Sequence, residues 1–290
     1  MAKIKNKKFQ TTNYNTSHTP TWCPGCGNFG IQAAFKEVLA ELEIPTENIV
    51  TLWDVGCIGN GTNTLKSYAF HSLHGRALPV ALGAKLANPD LKVFAFVGDG
   101  AMYGEGTNHF IHAARYNVDV NLIVANNKTF SLTTGQSSPT SEKGRVTKTT
   151  PFGEIKEPIN PVALSVLAGA SFVGRTVSFD LAHMKDVFKK AILHRGFSHV
   201  DVLQQCVTFN KVNDVKWYKD RIYDLKQKKD YQKSDRDLAL KIARDENKIA
   251  TGVIFEEKKK TYLEQLDQSF DIKSVDQKIV FKKSLLKDFL

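Results

Sequence analysis

Cysteine is scarce in this sequence, and long apolar runs are absent. The 290 residues include only 4 cysteines, too few for a fold held together by disulfide bonds. The longest uncharged stretch, residues 158–174, contains Pro161 and falls short of the roughly 20 apolar residues of a membrane helix. The N-terminal lysines are not followed by an apolar segment, unlike in a secretory signal. We therefore expect a folded protein of the cytoplasm with no membrane association.

Acidic residues are fewer than basic ones. The sequence has 40 Lys and Arg against 30 Asp and Glu, a formal net charge of +10, which would suit a nucleic acid or an acidic partner. The lysine runs lie in polar segments, without interleaved aromatic residues and without a helix-turn-helix or zinc-finger pattern. We interpret them as a solvated basic surface and expect no nucleic-acid partner. A basic binding protein remains as an alternative.

Short β-rich runs alternate with helical patterns along most of the chain. This order is typical of an α/β protein in which crossover helices flank a parallel sheet. Strands are predicted at 49–53, 93–97, 120–125 and 199–203, and helices at 29–42, 107–116 and 181–193.

Three segments divide the chain by composition. We expect a loose leader at 1–17, one main domain at 18–207, and a lysine-rich C-terminal extension at 208–290 packed on that domain. Within the extension, the apolar spacing predicts helices at 217–228 and 235–244 and a strand at 252–255.

Polar side chains follow the predicted strands at one edge of the sheet. Asp99, between Gly98 and Gly100, follows one strand, and Asn126 and Asn127 follow the next. Ligands of open parallel sheets bind at the carboxyl ends of the strands. A carboxylate, an amide oxygen and a backbone carbonyl, for which Thr129 is the candidate, would form a magnesium site together with two phosphate oxygens. The alternative is a tight turn in which Asp99 caps a helix.

The four cysteines also group by position. Cys23 and Cys26 form a C-x₂-C pair before a helix, whereas Cys57 and Cys206 each follow a strand. Four thiolates that converge can hold a zinc ion or a [4Fe–4S] cluster, and the spacing alone does not choose between them.

The Gly-Asp-Gly and Asn-Asn spacing resembles the thiamine diphosphate motif, and further motifs narrow the resemblance. They include Trp-Cys-Pro-Gly-Cys-Gly at 22–27, His-Ser-Leu-His-Gly-Arg-Ala-Leu-Pro at 71–79 and Thr-Gly-Gln-Ser-Ser-Pro-Thr at 134–140. From about residue 21 to 263 the chain resembles the β subunit of a 2-oxoacid:ferredoxin oxidoreductase of the 2-oxoglutarate-like branch. The resemblance implies a thiamine diphosphate-binding fold.

The resemblance also implies roles for individual residues. The cluster would be [4Fe–4S], held by the four cysteines, and Mg²⁺ would be bound by Asp99, Asn127 and the Thr129 carbonyl. The residues that would contact thiamine diphosphate or its phosphates are Val55, Gly56, Cys57, Ile58, Gly98, Gly100, Ala101, Ser131 and Leu132.

The implied reaction is the coenzyme A-dependent oxidative decarboxylation of a 2-oxoacid, either 2-oxoglutarate or pyruvate, with electrons passed to ferredoxin. The glutamate that activates the thiamine ring lies on a separate domain in this family, so we expect a partner α subunit that carries it. Two other functions remain open: a non-oxidative thiamine diphosphate decarboxylase or synthase, and a zinc-stabilised basic binding protein.

Three positions depart from the family pattern. Ala101 stands where a second acidic residue is usual, Ile58 where a serine is usual, and Asn60 where a basic residue often helps to hold the substrate carboxylate. Asn60 offers hydrogen bonds without a charge, so the 2-oxoacid is left open. His74 and Arg76 are further candidates for that role, although a loop histidine and a surface arginine are equally ordinary interpretations.

Overall fold

A computed structural model of the protein describes residues 9–245 and 248–266. Residues 1–8 of the predicted leader and 267–290 of the predicted extension lie outside the described residues, as do 246–247. Within the described part, eight strands form one sheet. In chain order they are β1 (Ile49–Trp53), β2 (Tyr68–His71), β3 (Lys92–Gly98), β4 (Asn121–Asn126), β5 (Phe172–Val177), β6 (Ser198–Leu203), β7 (Ile222–Asp224) and β8 (Ile249–Glu256).

The strand order across the sheet is β2-β1-β3-β4-β6-β5-β8-β7. Every neighbouring pair is parallel except β5 and β8, which run antiparallel. This arrangement confirms the predicted α/β class with a mostly parallel sheet. The carboxyl ends of β1, β3, β4 and β6 therefore lie at the same edge, where the polar motifs were predicted to meet.

Helices cover both faces of the sheet. In chain order they are α1 (Gly27–Glu41), α2 (Ala77–Ala87), α3 (Thr107–Tyr116), α4 (Pro161–Leu167), α5 (Leu181–Leu193), α6 (Val215–Lys219), α7 (Arg236–Ala243) and α8 (Tyr262–Gln265). One apolar core lies beneath α2, α3 and α4, and the other lies beneath α1 and α5. No helix within residues 9–245 and 248–266 combines the length and the apolar character of a membrane span.

The central strands β3 and β4 are mainly apolar because both of their faces are covered. In the core beneath α1, Phe35 packs edge-on against Phe94 and Phe96, with ring centroids 4.8 and 5.0 Å away. Trp53 stacks on Phe96 at 4.3 Å. Burying one such ring contributes about 2–3 kcal/mol, so these contacts fix β1 and β3 side by side beneath the edge that carries the polar motifs.

The predicted strands at 49–53, 93–97, 120–125 and 199–203 are confirmed as β1, β3, β4 and β6 to within one residue. Strand β5 was not predicted, because Gly174 and Arg175 interrupt its apolar run. Arg175 is nevertheless buried, since its Nε donates to the Asp201 carboxylate on neighbouring β6 at 3.0 Å. A charged residue can occupy a covered strand when its partner is adjacent.

The prediction of a loose leader is wrong for residues 9–17. A short 3₁₀ helix at Thr11–Tyr14 carries Tyr14 into the core, where its side chain is completely buried. The Tyr14 hydroxyl donates to the carbonyls of Leu39 and Ile44 at 3.0 and 2.7 Å. These bonds attach the segment to the end of α1. Tyr14 is a single aromatic residue in a polar stretch, so nothing in the sequence indicated this contact.

The predicted helix at 217–228 is also wrong beyond its first residues. Helix α6 ends at Lys219, and β7 follows because Ile222 and Tyr223 pair with Ile249 and Ala250 of β8. These sheet hydrogen bonds outweigh the local helical preference. The predicted strand at 252–255 and the helix at 235–244 are confirmed as β8 and α7. Since β8 pairs with β5, the described part of the extension continues the main sheet.

Candidate active site

One cavity opens at the carboxyl ends of β1, β3 and β4, and we call it the aspartate cavity. Its wall includes Asp99, Asn127 and Thr129, all buried, together with the loop that follows β1. All nine residues expected near thiamine diphosphate line it: Val55, Gly56, Cys57, Ile58, Gly98, Gly100, Ala101, Ser131 and Leu132. Loops that are distant in sequence therefore surround a single space.

The Asp99 carboxylate is held by side chains that lie forty residues further along the chain. Ser138 and Thr140 each donate a hydroxyl hydrogen bond to its Oδ2 at 2.6 Å. Asp99 thus accepts from these hydroxyls instead of capping the turn that follows it, where no side-chain cap is formed. Burial raises the pKa of Asp99, and the two hydroxyls oppose that rise. A cation bound here would offset the burial of the charge.

The loop after β4 turns sharply and places Asn127 and Thr129 in the wall of the same cavity. Lys128 adopts a φ of 57°, in the left-handed region, and the backbone N–H of Thr129 donates to Asn127 Oδ1 at 3.1 Å. Asn210 donates from its side chain to the Asn127 carbonyl at 3.0 Å. These bonds fix the Asn127 amide with its oxygen toward Thr129 and its nitrogen toward Ser131.

Two glycines leave space in this cavity, and a third does not. A Cβ atom built on Gly56 or Gly98 would meet no atom within 4 Å, so a side chain there would occupy the cavity itself. Gly56 also has a φ of 138°, a conformation that favours glycine. A Cβ on Gly100 would instead lie 2.3 Å from the Phe130 ring. The cradle formed at Gly56 and Gly98 fits a diphosphate that contacts the main chain.

All four cysteines line a second cavity, the cysteine cavity, which shares Cys57, Asn127, Ser131 and Leu132 with the first. Cys23 is exposed, Cys26 and Cys57 are partly buried, and Cys206 is buried. Burial raises the pKa of the Cys26 thiol to about 11, with further contributions from the three neighbouring cysteines. Binding of a metal by these residues must therefore displace protons.

The cysteine sulfur atoms are spread around this cavity rather than packed together. Within the described ranges, no group of three His, Cys, Asp or Glu side chains is compact enough to hold one metal ion. A zinc ion bound by four thiolates would bring the sulfur atoms to about 3.8 Å from one another, given Zn–S bonds of about 2.3 Å. A [4Fe–4S] cube takes one thiolate per iron and so accepts a wider spacing.

Trp22 supports the loop between the two cavities. Its indole N–H donates to the backbone carbonyl of Cys57 at 2.6 Å, and its ring packs edge-on against Phe29. This contact joins the segment before α1 to the loop after β1. The sequence placed Trp22 beside Cys23 but offered no sign of this bond.

Comparison with known proteins agrees with this geometry. Residues 54–202 match the family described as "Thiamine pyrophosphate enzyme, C-terminal TPP binding domain", and residues 206–271 match the C-terminal family of the "Pyruvate ferredoxin oxidoreductase beta subunit". A 2-oxoacid:ferredoxin oxidoreductase subunit beta from Aeropyrum pernix is 38% identical over 275 residues, covering 91% of this chain and 86% of the relative. The chain belongs to this family of β subunits.

Two further relatives extend the comparison. A 2-oxoacid:ferredoxin oxidoreductase subunit beta from Saccharolobus solfataricus is 44% identical over 206 residues, which cover 70% of this chain and 68% of that one. The solved 2-oxoglutarate:ferredoxin oxidoreductase from Magnetococcus marinus, with 2-oxoglutarate, coenzyme A and succinyl-CoA bound, superposes with a TM-score of 0.88 at 31% identity. That match covers 99% of this chain and 97% of the other. The predicted thiamine diphosphate-binding fold is confirmed.

The three candidates for holding substrate lie in different places in this β subunit. His74 lines the aspartate cavity, with Nδ1 3.3 Å from Glu105 Oε2. Arg76 is exposed and donates to the Glu105 carbonyl at 2.9 Å. Asn60 is exposed and borders the cysteine cavity. The structure therefore does not bring the three side chains together, and only His74 is part of the aspartate cavity wall.

Asp54 is a structural residue of the β subunit that sequence reasoning left without a role. Its buried carboxylate accepts hydrogen bonds from the backbone N–H groups of Gly75 and Ala77 at 2.8 and 3.0 Å. Burial raises the pKa of Asp54, and these N–H groups act against the rise. Asp54 thereby fixes the loop that carries His74.

Gln204 was likewise not predicted as part of the site. Gln204 is buried in the aspartate cavity wall, and its Oε1 has no hydrogen-bond partner among the described residues. A buried acceptor without a partner is costly, so it suits a ligand that donates a hydrogen bond. The one available signal was its position directly after β6, at the same sheet edge as Asp99.

Proposed function

We propose that this β subunit, with its partner subunit, catalyses the coenzyme A-dependent oxidative decarboxylation of a 2-oxoacid and passes the electrons through a [4Fe–4S] cluster to ferredoxin. The observation that supports this most directly is the wall shared by the two cavities. Cys57, Asn127, Ser131 and Leu132 contribute to both, so a cofactor in the aspartate cavity would lie next to a cluster in the cysteine cavity.

In this proposal, Asp99, Asn127 and the Thr129 carbonyl would hold Mg²⁺ in the aspartate cavity, where the ion would neutralise the charge of a bound diphosphate. Three oxygen donors of this kind are what magnesium binds, with phosphate oxygens completing the shell. Ser138 and Thr140 orient the carboxylate before the ion arrives. Gly56 and Gly98 leave the room that the phosphates need.

The cluster is assigned to Cys23, Cys26, Cys57 and Cys206, which supply one thiolate for each iron. All four cysteines of the sequence are then used, so this chain has no thiolate left for a second cluster. Bound thiamine diphosphate supplies an electron sink for decarboxylation. The chain itself holds the loop after β1 in place through Trp22 and Asp54, and keeps His74 at the cavity wall.

The proposed partners follow from the relatives, which are named as β subunits. We assign the activating glutamate to an α subunit that faces the aspartate cavity, and ferredoxin to the role of electron acceptor. The bound molecules of the Magnetococcus marinus enzyme make 2-oxoglutarate the first acid to test, followed by pyruvate. A cytoplasmic location suits the free thiols that bind iron, because disulfides rarely form in that compartment.

The test is anaerobic co-purification with the α subunit, followed by viologen reduction with a panel of 2-oxoacids and coenzyme A. We expect a brown complex that absorbs at about 400 nm, bleaches with dithionite and contains four irons per β subunit. A colourless protein with stoichiometric zinc would instead identify the zinc-stabilised binding protein. Release of an aldehyde without viologen reduction would identify a non-oxidative decarboxylase.

A further inference from the structure

A single hydroxyl group connects the two cavities. Ser131 Oγ lies 3.0 Å from Asn127 Nδ2 on one side and 3.3 Å from Cys57 Sγ on the other. Asn127 is a proposed magnesium ligand, and Cys57 is a proposed cluster ligand. Ser131 is buried, with 8% of its surface exposed.

Neighbouring groups fix the donor and the acceptor of each of these two hydrogen bonds. Thr129 donates its backbone N–H to Asn127 Oδ1, which leaves the amide N–H₂ facing Ser131. Asn127 therefore donates to Ser131 Oγ, and the only hydroxyl proton of Ser131 is free to point at Cys57 Sγ. A thiolate bound to iron has no proton, so it accepts this bond.

Two other hydrogen bonds to cysteine sulfur differ from this one. Cys23 Sγ accepts from the Thr208 hydroxyl at 3.3 Å, but both residues are exposed and water can replace that donor. Cys206 Sγ accepts from the backbone N–H of Phe209 at 3.4 Å. Among the described residues, Ser131 is the buried side-chain hydroxyl that joins a cluster cysteine to the proposed magnesium site.

We infer that Ser131 is a positioning residue that raises the reduction potential of the cluster and makes that potential respond to occupancy of the magnesium site. The inference rests on the proposed function and deepens it. Reduction adds negative charge to the cluster and its thiolates, and a hydrogen bond to Cys57 Sγ stabilises that charge. A cation at Asn127 Oδ1 polarises the amide, which strengthens its bond to Ser131 and, in turn, the bond to sulfur.

The experiment uses two variants that are isosteric with each other, Ser131→Thr and Ser131→Val, in the complex with the α subunit. The cluster's midpoint potential is measured by redox titration followed by electron paramagnetic resonance, with iron content determined on the same samples. We expect the midpoint potential of Ser131→Thr to match that of the wild type. We expect Ser131→Val to lower the reduced-to-oxidised ratio at a fixed potential about tenfold, which is about 59 mV for one electron. The surface control Thr208→Val should change this ratio much less.

Occupancy of the magnesium site gives the second readout. Adding thiamine diphosphate with Mg²⁺, at a concentration that calorimetry shows to saturate each variant, should raise the midpoint potential of the wild type and of Ser131→Thr and should leave that of Ser131→Val unchanged. The magnesium complex of thiamine diphosphate carries little net charge, so its direct field at the cluster is weak. Equal potentials in the Thr and Val variants, or an equal response to the cofactor, would overturn this inference alone. A complex without iron and sulfide would overturn the proposed function as well.

Discussion

The aspartate cavity and the cysteine cavity adjoin each other, yet the chain builds them in different ways. The oxygen donors of the first come from two neighbouring strand ends and are held by buried hydrogen bonds from Ser138, Thr140 and Asn210. The cysteines of the second come from three distant segments, and they range from exposed Cys23 to buried Cys206. The first cavity is therefore organised without a ligand, whereas in the proposed function the second would be drawn together by its metal.

The largest effect that this comparison predicts is the loss of the cluster from Cys206→Ser. Removing one of four thiolates should reduce bound iron to near zero and abolish viologen reduction, because a buried serine is a poor ligand for iron. Iron and sulfide analysis of the purified complex measures this. Thiamine diphosphate affinity, measured by titration calorimetry, should stay within about tenfold of the wild type, since the aspartate cavity is held by its own bonds. Retention of four irons would contradict the assignment.

The stability of the fold should show a pH dependence that comes from the buried His199 on β6. Burial lowers the pKa of His199 from 6.5 to about 4, and its Nε2 is hydrogen-bonded to the Tyr103 hydroxyl in the turn after Gly100. Between these two pKa values the unfolded chain binds more protons than the folded one. Stability should thus fall by about 3 kcal/mol as the pH falls through this window.

Urea unfolding at stepped pH measures this loss. His199→Gln should flatten the curve in that window, whereas the exposed control His18→Gln should leave it unchanged. If the curve of His199→Gln keeps the wild-type slope, another group is responsible.

Asp99→Asn tests the aspartate cavity directly. The variant keeps the size of the side chain but removes the charge, so we expect magnesium-dependent affinity for thiamine diphosphate to fall by about 100-fold. Titration calorimetry with and without Mg²⁺ measures this affinity. Iron content should stay at the wild-type level, and the exposed control Asp180→Asn should bind the cofactor normally. Wild-type affinity in Asp99→Asn would remove this residue from the proposed magnesium shell.

The smallest predicted effects on stability and cofactor binding differ between Gly98 and Gly100, the two glycines that flank Asp99. Gly100→Ala should destabilise the fold by about 1–3 kcal/mol, because its Cβ would lie 2.3 Å from the Phe130 ring. Gly98→Ala should change stability by less than about 0.5 kcal/mol, but should weaken thiamine diphosphate binding by partly filling the cavity. Thermal unfolding and calorimetry on the same samples compare them. Equal effects of the two substitutions on stability and on thiamine diphosphate affinity would contradict this difference between the glycines.

Sequence reasoning predicted the parts of the molecule that depend on local pattern. Strands β1, β3, β4 and β6 are apolar runs that end in chemically distinctive residues, so both the sheet and the contents of its edge could be anticipated. It failed where a distant partner decides the structure. Arg175 lies in a strand because Asp201 is beside it, and Tyr14 is buried because two carbonyls receive its hydroxyl.

The candidate site shows the same division. Asp99, Asn127, Cys57 and Cys206 could be chosen by residue type and position after strands, and Cys23 and Cys26 by their C-x₂-C spacing. The hydroxyls of Ser138 and Thr140 on Asp99, and the indole of Trp22 on the Cys57 carbonyl, could not, because contacts across forty or thirty-five residues leave no periodic signal. Asn60 was chosen from the family pattern and Arg76 as a possible substitute for the basic residue missing there, and the structure places both outside the aspartate cavity wall.

The positions of the cysteines also set an order of events during synthesis. Cys23 and Cys26 precede β1, Cys57 follows it, and Cys206 leaves the ribosome only after β6 has been made. The four thiols come together only after those strands have paired, so under the proposed function iron delivery would be a late step of maturation. Under the same proposal, chains made without iron would be folded but colourless.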